Sequence, residues 1–415
     1  MISSLLIKPA GPDCNLACSY CFYRPALKLY PQTPHPRMSV EVLRELVRQY
    51  MALAREQHGS GLEARTTPER GPSPAAFCWQ GGEPTLMGVD FYRTVIALQK
   101  KHGHSGQVVA NSLQTNGMLI DEEWARLLAR YRFLVGVSLD GPAEVHDHYR
   151  QNMGGAGTLA RVLRGLRTLQ RNGVESNALC MITSYSASRA RIIWDFFAEQ
   201  KVDYLQFIPC LERNIGTDTI FPDQPPPEAA LSEKIVSVPI FPRDLAEFAI
   251  RPEQYGEFLC EVFDLWWPER ERVHVRIFDD LLADLLGVPE SKTCEFRPRC
   301  GDYLVVEHNG DVFDCDFFVD REHLVGNLME TPLATLAEAP AFGEFAAAKN
   351  CYGGQCQACE WLSLCCGGCQ KHRLFGEGKV EAPSYLCAGY RQLFAHALPR
   401  LREIVNEMPG TEVPG

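Results

Sequence analysis

No apolar run in the 415 residues approaches the roughly 20 residues needed to cross a bilayer. The opening, Met1-Ile2-Ser3-Ser4-Leu5-Leu6-Ile7-Lys8-Pro9, holds an apolar stretch too short for a secretory signal. Together these absences lead to the expectation of a cytoplasmic protein with no membrane partner. Positive charge is also in deficit: 41 Lys and Arg face 52 Asp and Glu, for a net charge of −11. Such a balance speaks against nonspecific nucleic-acid binding and against docking on anionic lipid. The length allows two or three domains with their own cores. With 46% apolar and 22% charged residues, the composition is that of an ordinary globular protein.

What the chain has in excess is cysteine, 17 residues in all. In a reducing cytosol, clustered cysteines point to metal ligation rather than disulfides. Their placement is uneven: Cys14, Cys18 and Cys21 stand within eight residues, and ten of the 17 lie from Cys294 onward. The first group, C-x3-C-x2-C, follows a short strand run, Leu5-Leu6-Ile7, and the loop Lys8-Pro9-Ala10-Gly11. Structural zinc takes four ligands, commonly as two separated pairs. Three thiols in one loop, with no histidine close by, fit one face of an iron–sulfur cube better. One iron is then left for a small molecule to chelate.

Between the two groups, strand and helix patterns alternate. Strand runs at Leu5–Ile7, Ala75–Trp79, Val108–Leu113, Phe133–Leu139, Asn177–Thr183 and Tyr204–Pro209 are separated by helical patterns at Val40–Gln57 (with Ser39 as N-cap), Val89–Lys101, Asp121–Tyr131, Leu159–Arg171 and Ser188–Glu199. Strands alternating with helices imply a parallel sheet with right-handed crossovers. Ligand sites in such sheets lie at the C-terminal strand ends. That is where Gln80-Gly81-Gly82-Glu83-Pro84, Gln114-Thr115-Asn116-Gly117 and Asp140-Gly141-Pro142 fall. Residues 58–74 read as a surface loop, and 211–252, rich in proline, as an irregular insertion over the sheet. Helices are expected at Gln254–Trp267 and Asp280–Leu286, and a hairpin with an Asn309-Gly310 turn at Val305–Phe313.

Eight of the later cysteines have readable spacing: Cys294, Cys300, Cys315, the group Cys356, Cys359, Cys365 and Cys369 (C-x2-C-x5-C-x3-C), and Cys387. Eight thiols complete two four-ligand sites, and spacing alone allows zinc as well as iron–sulfur clusters. Cys78 and Cys180 lie in strand runs and read as small core hydrophobes. Cys366 adjoins a ligand, but the spacing selects Cys365.

With Tyr20 before Cys21, the first motif resembles that of the radical S-adenosylmethionine (SAM) proteins. The later region resembles the SPASM extension that follows many of them, including its C-x9–15-G-x4-C pair. The resemblance implies an α/β fold, an open (β/α)6 partial barrel followed by a cysteine-rich SPASM domain. It divides the chain into 1–252 (barrel, with the insertion), 253–290 (helical linker), 291–390 (SPASM) and 391–415 (C-terminal helix and tail). It implies three 4Fe–4S clusters. Cys14, Cys18 and Cys21 would hold the one that chelates SAM, which is cleaved there to a hydrogen-abstracting 5′-deoxyadenosyl radical. Cys294, Cys300, Cys315 and Cys369 would hold one auxiliary cluster, and Cys356, Cys359, Cys365 and Cys387 the other.

More narrowly, the chain resembles the anaerobic sulfatase-maturating enzymes. The resemblance runs through Ser4–Ala10, Cys18–Tyr23, Gln80–Leu86, Asn111–Gly117, Phe133–Gly136 with Ser138 and Asp140-Gly141-Pro142, and Cys315-Asp316-Phe317. These enzymes oxidise a cysteine, and in some members a serine, to formylglycine within a Cys/Ser-x-Pro/Ala-x-Arg motif of an unfolded or nascent sulfatase. An electron donor such as flavodoxin or ferredoxin serves them, and a monomer is the default expectation. By the same resemblance Asp316 is the base that takes the substrate proton, a role suited to a carboxylate ionised at neutral pH. Gly81 and Gly82 let backbone approach SAM, and Glu83 pairs with its amino group. Ser138 bonds the ribose or methionine part, and Arg150 pairs with the carboxylate. Tyr23 and Leu211 line the SAM and peptide pocket, and Gln80 contacts the peptide. Two other readings stand beside this one: a SPASM enzyme crosslinking a small peptide through thioether or carbon–carbon bonds, and a non-catalytic zinc-stabilised interaction protein.

Overall fold

The computed structural model describes residues 2–59, 75–213, 245–288, 292–375 and 379–407. Most of the expected loop at 58–74 and of the insertion at 211–252 lies outside these residues. The chain forms two compact units: Met1–Leu139, His146–Ala178 and Gly301–Ala346 make the first, and Asp140–Val145, Leu179–Cys300 and Ala347–Gly415 the second. Among the described residues no helix is long and apolar enough to cross a membrane.

The first unit is built on parallel strands β1 (Ser4–Lys8), β2 (Ala75–Trp79), β3 (Val109–Thr115) and β4 (Leu134–Ser138), side by side in that order. Helices α1 (Val40–Gly59), α2 (Val89–His102) and α3 (Glu122–Arg130) connect them. Local sequence sets their starts. The Ser39 Oγ accepts the Val42 N–H at 3.2 Å, and the Asp121 carboxylate accepts those of Glu123 and Trp124 at 3.0 Å. Each such cap is worth about 1 kcal/mol. In the core Phe77, Trp79, Leu5, Ile7, Leu113 and Val135 have no exposure. Burying each large apolar side chain contributes roughly 1.5–3 kcal/mol. The Trp79 indole donates to Asn111, which exchanges amide bonds with Gln99, so this buried polar group is satisfied. Cys78 departs from expectation. It alternates with Phe77 and Trp79, points to the other sheet face and is only half-buried.

Beyond β1 the sheet continues through strands from the later cysteine region. Tyr303–Glu307 (β8 in chain order) pairs in parallel with β1, placing Glu307 opposite Lys8. Asp311–Phe313 (β9) and Leu324–Asn327 (β10) add on antiparallel. The hairpin and its turn, with Gly310 at φ +93°, are as expected. Its parallel seam with the first strand is not visible in the spacing. Two helices complete this half of the chain: α4 (Ala143–Tyr149), which the periodicity does not predict, and α5 (Leu159–Arg171). Strand β5 (Ser176–Ile182) starts in the first unit and ends in the second.

In the second unit β6 (Tyr204–Pro209) follows β5 in the sheet and pairs in parallel with the short β7 (His274–Val275). The strand order is β10-β9-β8-β1-β2-β3-β4-β5-β6-β7. Helix α6 is Ala190–Glu199. Helix α7 (Pro252–Trp266) begins two residues earlier than expected, because proline is tolerated at the first helical position and the Gln254 side chain caps the Arg251 N–H at 3.1 Å. Helix α8 (Arg276–Leu285) begins four residues early, carrying buried Ile277 and Phe278 inward. The C-terminal helix Cys387–Glu407 packs on α7. The crossing is glycine on glycine: a Cβ on Gly389 would lie 2.3 Å from the Pro252 carbonyl oxygen, and one on Gly256 would lie 2.9 Å from the Gly389 Cα.

Candidate active site and cysteine centres

The first cysteine loop leaves β1 and is held from two sides. Backbone bonds run from Gly82 N to Gly11 O and from Glu83 N to Asp13 O, both at 2.8 Å, and from Ala17 N to Gln151 O at 2.8 Å. The glycines of Gly81-Gly82 serve this seam. A Cβ on Gly82 would stand 2.0 Å from the Asp13 carbonyl oxygen, and Gly81 has φ +124°. The close approach expected toward a ligand is thus, at Gly82, an approach to the chain's own cysteine loop.

Glu83 has no exposure and is held by local donors. Oε1 accepts the Thr85 N–H at 3.0 Å, the Thr85 hydroxyl at 2.5 Å and the Thr115 hydroxyl at 2.8 Å; Oε2 accepts the Asn116 N–H at 2.8 Å. Burial raises its pKa against these bonds. Asn116 also donates to Asn15 at 2.7 Å and approaches the Cys14 sulfur at 3.8 Å. Carboxylate, amide and cysteine loop therefore form one rigid cradle. Burial first, and then the Glu83 charge, push the Cys14 thiol up. The Leu16 N–H, 3.4 Å from the sulfur, works against this shift, and a bound cluster would stabilise the thiolate further.

Beside this cradle lies a charged group that the sequence did not announce. Lys8, at the end of β1 and 1% exposed, holds its ammonium 2.5 Å from Asp316 Oδ1. The same ammonium sits 3.3 Å from the centre of the Tyr23 ring. The Tyr23 hydroxyl donates to Glu307, which is wholly buried. Apart from the ion pair, no aligned hydrogen bond reaches Asp316 Oδ1 among the described residues. Phe22 and Phe317 pack at 5.0 Å on the two segments that carry Tyr23 and Asp316.

Other expected site residues fall nearby in the same unit. Ser138 is half-buried at the end of β4. Arg150 is buried with its guanidinium 5.3 Å from the Tyr20 ring centre, one residue before the segment that straps the cysteine loop. Gln80 donates its backbone N–H to Ile7 O, while its side-chain Nε2 has no partner among the described residues. Leu211 belongs to the second unit, where it is buried with Ala249 and Phe375.

In the second unit Cys356, Cys359, Cys365 and Cys387 line one hollow together with Trp361, Tyr390 and Phe394. Four thiols around a largely apolar hollow suit a four-iron cluster. Arg373, 1% exposed, sits beneath it and donates to the carbonyls of Cys366, Gly367, Cys351 and Val380 at 3.0–3.2 Å. Cys366 points away from this set and has φ +45°. Cys294, Cys300 and Cys369 form a second group. Cys294 is exposed as a residue, yet the protein packed around its sulfur first, then the neighbouring Cys369, push it up to about 12, and burial takes Cys369 to about 11. The buried Lys349 ammonium, bonded to the Cys294 and Glu295 carbonyls, opposes both shifts. Cys315, proposed as their fourth member, lies in the first unit with the Tyr303 hydroxyl 3.6 Å from its sulfur.

Residues 9–186 match the Radical SAM superfamily, and residues 294–360 match SPASM, an iron–sulfur cluster-binding domain. The chain is 33% identical over 413 residues to a serine-type anaerobic sulfatase-maturating enzyme of Bacteroides thetaiotaomicron, covering 99% of this chain and 93% of the relative. It is also 33% identical over 408 residues to a cysteine-type anaerobic sulfatase-maturating enzyme of Clostridium perfringens, covering 98% and 99%. The solved structure of native anSMEcpe with bound AdoMet and Cp18Cys peptide matches with a TM-score of 0.79 at 33% identity, covering 98% of this chain and 99% of that one.

Proposed function

The chain belongs to the anaerobic sulfatase-maturating enzymes of the radical SAM superfamily, and on that footing we propose that it oxidises a cysteine of a sulfatase polypeptide to formylglycine. The observation that carries this reading is the Asp316 carboxylate, ion-paired to Lys8 through Oδ1 with no aligned hydrogen bond on that oxygen among the described residues, in the same compact unit as Cys14, Cys18 and Cys21.

Cys14, Cys18 and Cys21 would hold the SAM-binding cluster. Cys294, Cys300, Cys315 and Cys369 would hold one auxiliary cluster, and Cys356, Cys359, Cys365 and Cys387 the other. When bound, clusters and SAM supply the redox half of the chemistry, a hydrogen-abstracting 5′-deoxyadenosyl radical and an acceptor for the second electron. The chain's own residues supply the rest. Asp316 takes the thiol proton as the substrate carbon loses its hydrogen atom and an electron, leaving a C=S bond. Water then replaces sulfur, giving the aldehyde and hydrogen sulfide. A thiol, with an ordinary pKa near 8.5, suits a carboxylate base far better than an alcohol does, so cysteine is the proposed target.

Gly81, Gly82, Glu83, Ser138 and Arg150 would orient SAM, with Glu83 doing so as part of its hydrogen-bonded cradle. Tyr23 and Leu211 would line the SAM and peptide pocket, and Gln80, whose side-chain amide has no partner among the described residues, would offer a donor to a peptide carbonyl. A flavodoxin or ferredoxin would serve as electron donor to a cytoplasmic, monomeric enzyme. The test is a synthetic peptide containing Cys-x-Pro-x-Arg, with a Ser-x-Pro-x-Arg peptide in parallel. Each is incubated without oxygen with reconstituted enzyme, SAM and reductant. Aldehyde captured by a hydrazine on the cysteine peptide supports the reading; deoxyadenosine without aldehyde on either peptide overturns it.

A further inference from the structure

We propose that Lys8 is the positioning residue of Asp316, holding the base in line through a chain of contacts that ends at Glu307. The inference rests on the reading of Asp316 as the base. Lysine is almost never buried to the extent seen here, 1% exposed, without a specific partner. Its ammonium meets the Asp316 carboxylate at 2.5 Å and the face of the Tyr23 ring at 3.3 Å, with the Phe22 ring centre farther off at 5.8 Å. The ring is itself fixed, because its hydroxyl donates to Glu307, the residue opposite Lys8 in the β1–β8 pairing. The contacts thus run Glu307 to Tyr23 to Lys8 to Asp316. They draw on three segments that each end at a proposed cluster loop: β1 before Cys14, Tyr23 two residues after Cys21, and Asp316 one residue after Cys315.

Stability alone is a weak reason for this arrangement, since a buried ion pair rarely outperforms apolar packing of the same volume. The geometry is asymmetric in a way that suits function. Lys8 is sealed, while the Asp316 side chain keeps 18% of its surface open. An ammonium fixed behind a carboxylate sets the direction in which its free face points, and a base displaced by even one ångström loses much of its effect.

The test compares Lys8→Met, Lys8→Gln and Lys8→Arg with Asp316→Asn and the unaltered enzyme, all reconstituted with iron. Three quantities are read: 5′-deoxyadenosine formed, aldehyde formed, and peptide affinity by fluorescence anisotropy. Lys8→Met and Lys8→Gln should lower aldehyde per deoxyadenosine by about tenfold or more, part of the full worth of a general base. Peptide affinity should hold, and Lys8→Arg should restore most of the ratio. An unchanged ratio in both neutral variants, or iron loss in all three Lys8 variants, would make Lys8 a structural residue and overturn the inference. Asp316→Asn separates the two readings. If it keeps the unaltered ratio, the base assignment itself fails. If it uncouples while the Lys8 variants do not, only the role of Lys8 falls.

Discussion

Gly82→Ala should dislodge the first cysteine loop while leaving the rest of the fold in place. The added Cβ would stand 2.0 Å from the Asp13 carbonyl oxygen and 2.8 Å from the Pro12 carbonyl carbon, both backbone atoms. Ordinary contact requires well over 3 Å, so the loop must retreat by more than an ångström. That movement breaks the Glu83 N to Asp13 O bond at 2.8 Å and loosens the Gly82 N to Gly11 O bond. Two backbone hydrogen bonds at about 1 kcal/mol each, with an overpacking cost of about 1–3 kcal/mol, put about 3–5 kcal/mol on this one seam. Gly88→Ala is the control. Unlike Gly82 it has positive φ, +76°, but a Cβ there meets nothing within 4 Å, so only the backbone cost of about 1–3 kcal/mol remains. Iron content and visible absorbance after anaerobic reconstitution, with thermal melting, provide the assay. Gly82→Ala should lose about a third of the iron, the share of one cluster in three, together with SAM binding; Gly88→Ala should keep both. Full iron and SAM binding in Gly82→Ala would refute the claim that Gly82 is needed for the loop.

Arg373→Met should empty the Cys356–Cys387 centre: four carbonyls lose their donor, and leaving the buried ones of Cys366 and Gly367 unmatched costs about 1–3 kcal/mol each before water enters. Iron analysis and melting would show it, with Arg373→Lys intermediate because a lysine cannot span the same four acceptors. His323→Gln should destabilise the protein more at pH 6 than at pH 8.5. Burial opposes protonation of His323, but the hydrogen bond to Asp320 at 2.8 Å and its charge outweigh it, so the folded pKa is raised above 6.5. The stabilisation is then fully present below pH 6.5 and is lost as pH rises through the folded pKa. With Asp320 half open to solvent its size should stay at about 0.2–1 kcal/mol, and melting across that pH range would measure it.

Much of the fold was legible because it is written in local period. The strand run Tyr204–Pro209 has the predicted bounds, and Ser39 and Asp121 cap where polar residues precede an apolar pattern. The SPASM resemblance groups Cys356, Cys359, Cys365 and Cys387, which line one hollow, and the spacing selects Cys365 over Cys366, which is not among the lining residues. What stayed hidden depends on pairing between distant segments. Nothing local in Tyr303–Glu307 says that it will lie parallel to Ser4–Lys8. Without that register, Lys8 and Glu307 read as ordinary strand-end charges. Asn116 stood in a quoted motif, yet its bonds to Asn15 and the Glu83 carboxylate require the loop to be folded back. Gly82 reads as a close approach to SAM, but a missing Cβ does not say what approaches, and here it is the Asp13 carbonyl of the cysteine loop. The helix at Ala143–Tyr149 was missed because two histidines and an aspartate in seven residues leave little apolar period to read.

The claim at the centre of this account is that hydrogen leaves the target cysteine at Cβ, with Asp316 taking the thiol proton. A Cys-x-Pro-x-Arg peptide dideuterated at the cysteine Cβ tests it most directly, with deoxyadenosine and peptide both analysed by mass spectrometry. The account predicts one deuterium in the deoxyadenosine and one retained on the aldehyde carbon, with aldehyde strongly reduced in Asp316→Asn while deuterated deoxyadenosine persists. Deoxyadenosine free of deuterium, or aldehyde undiminished in Asp316→Asn, would contradict it.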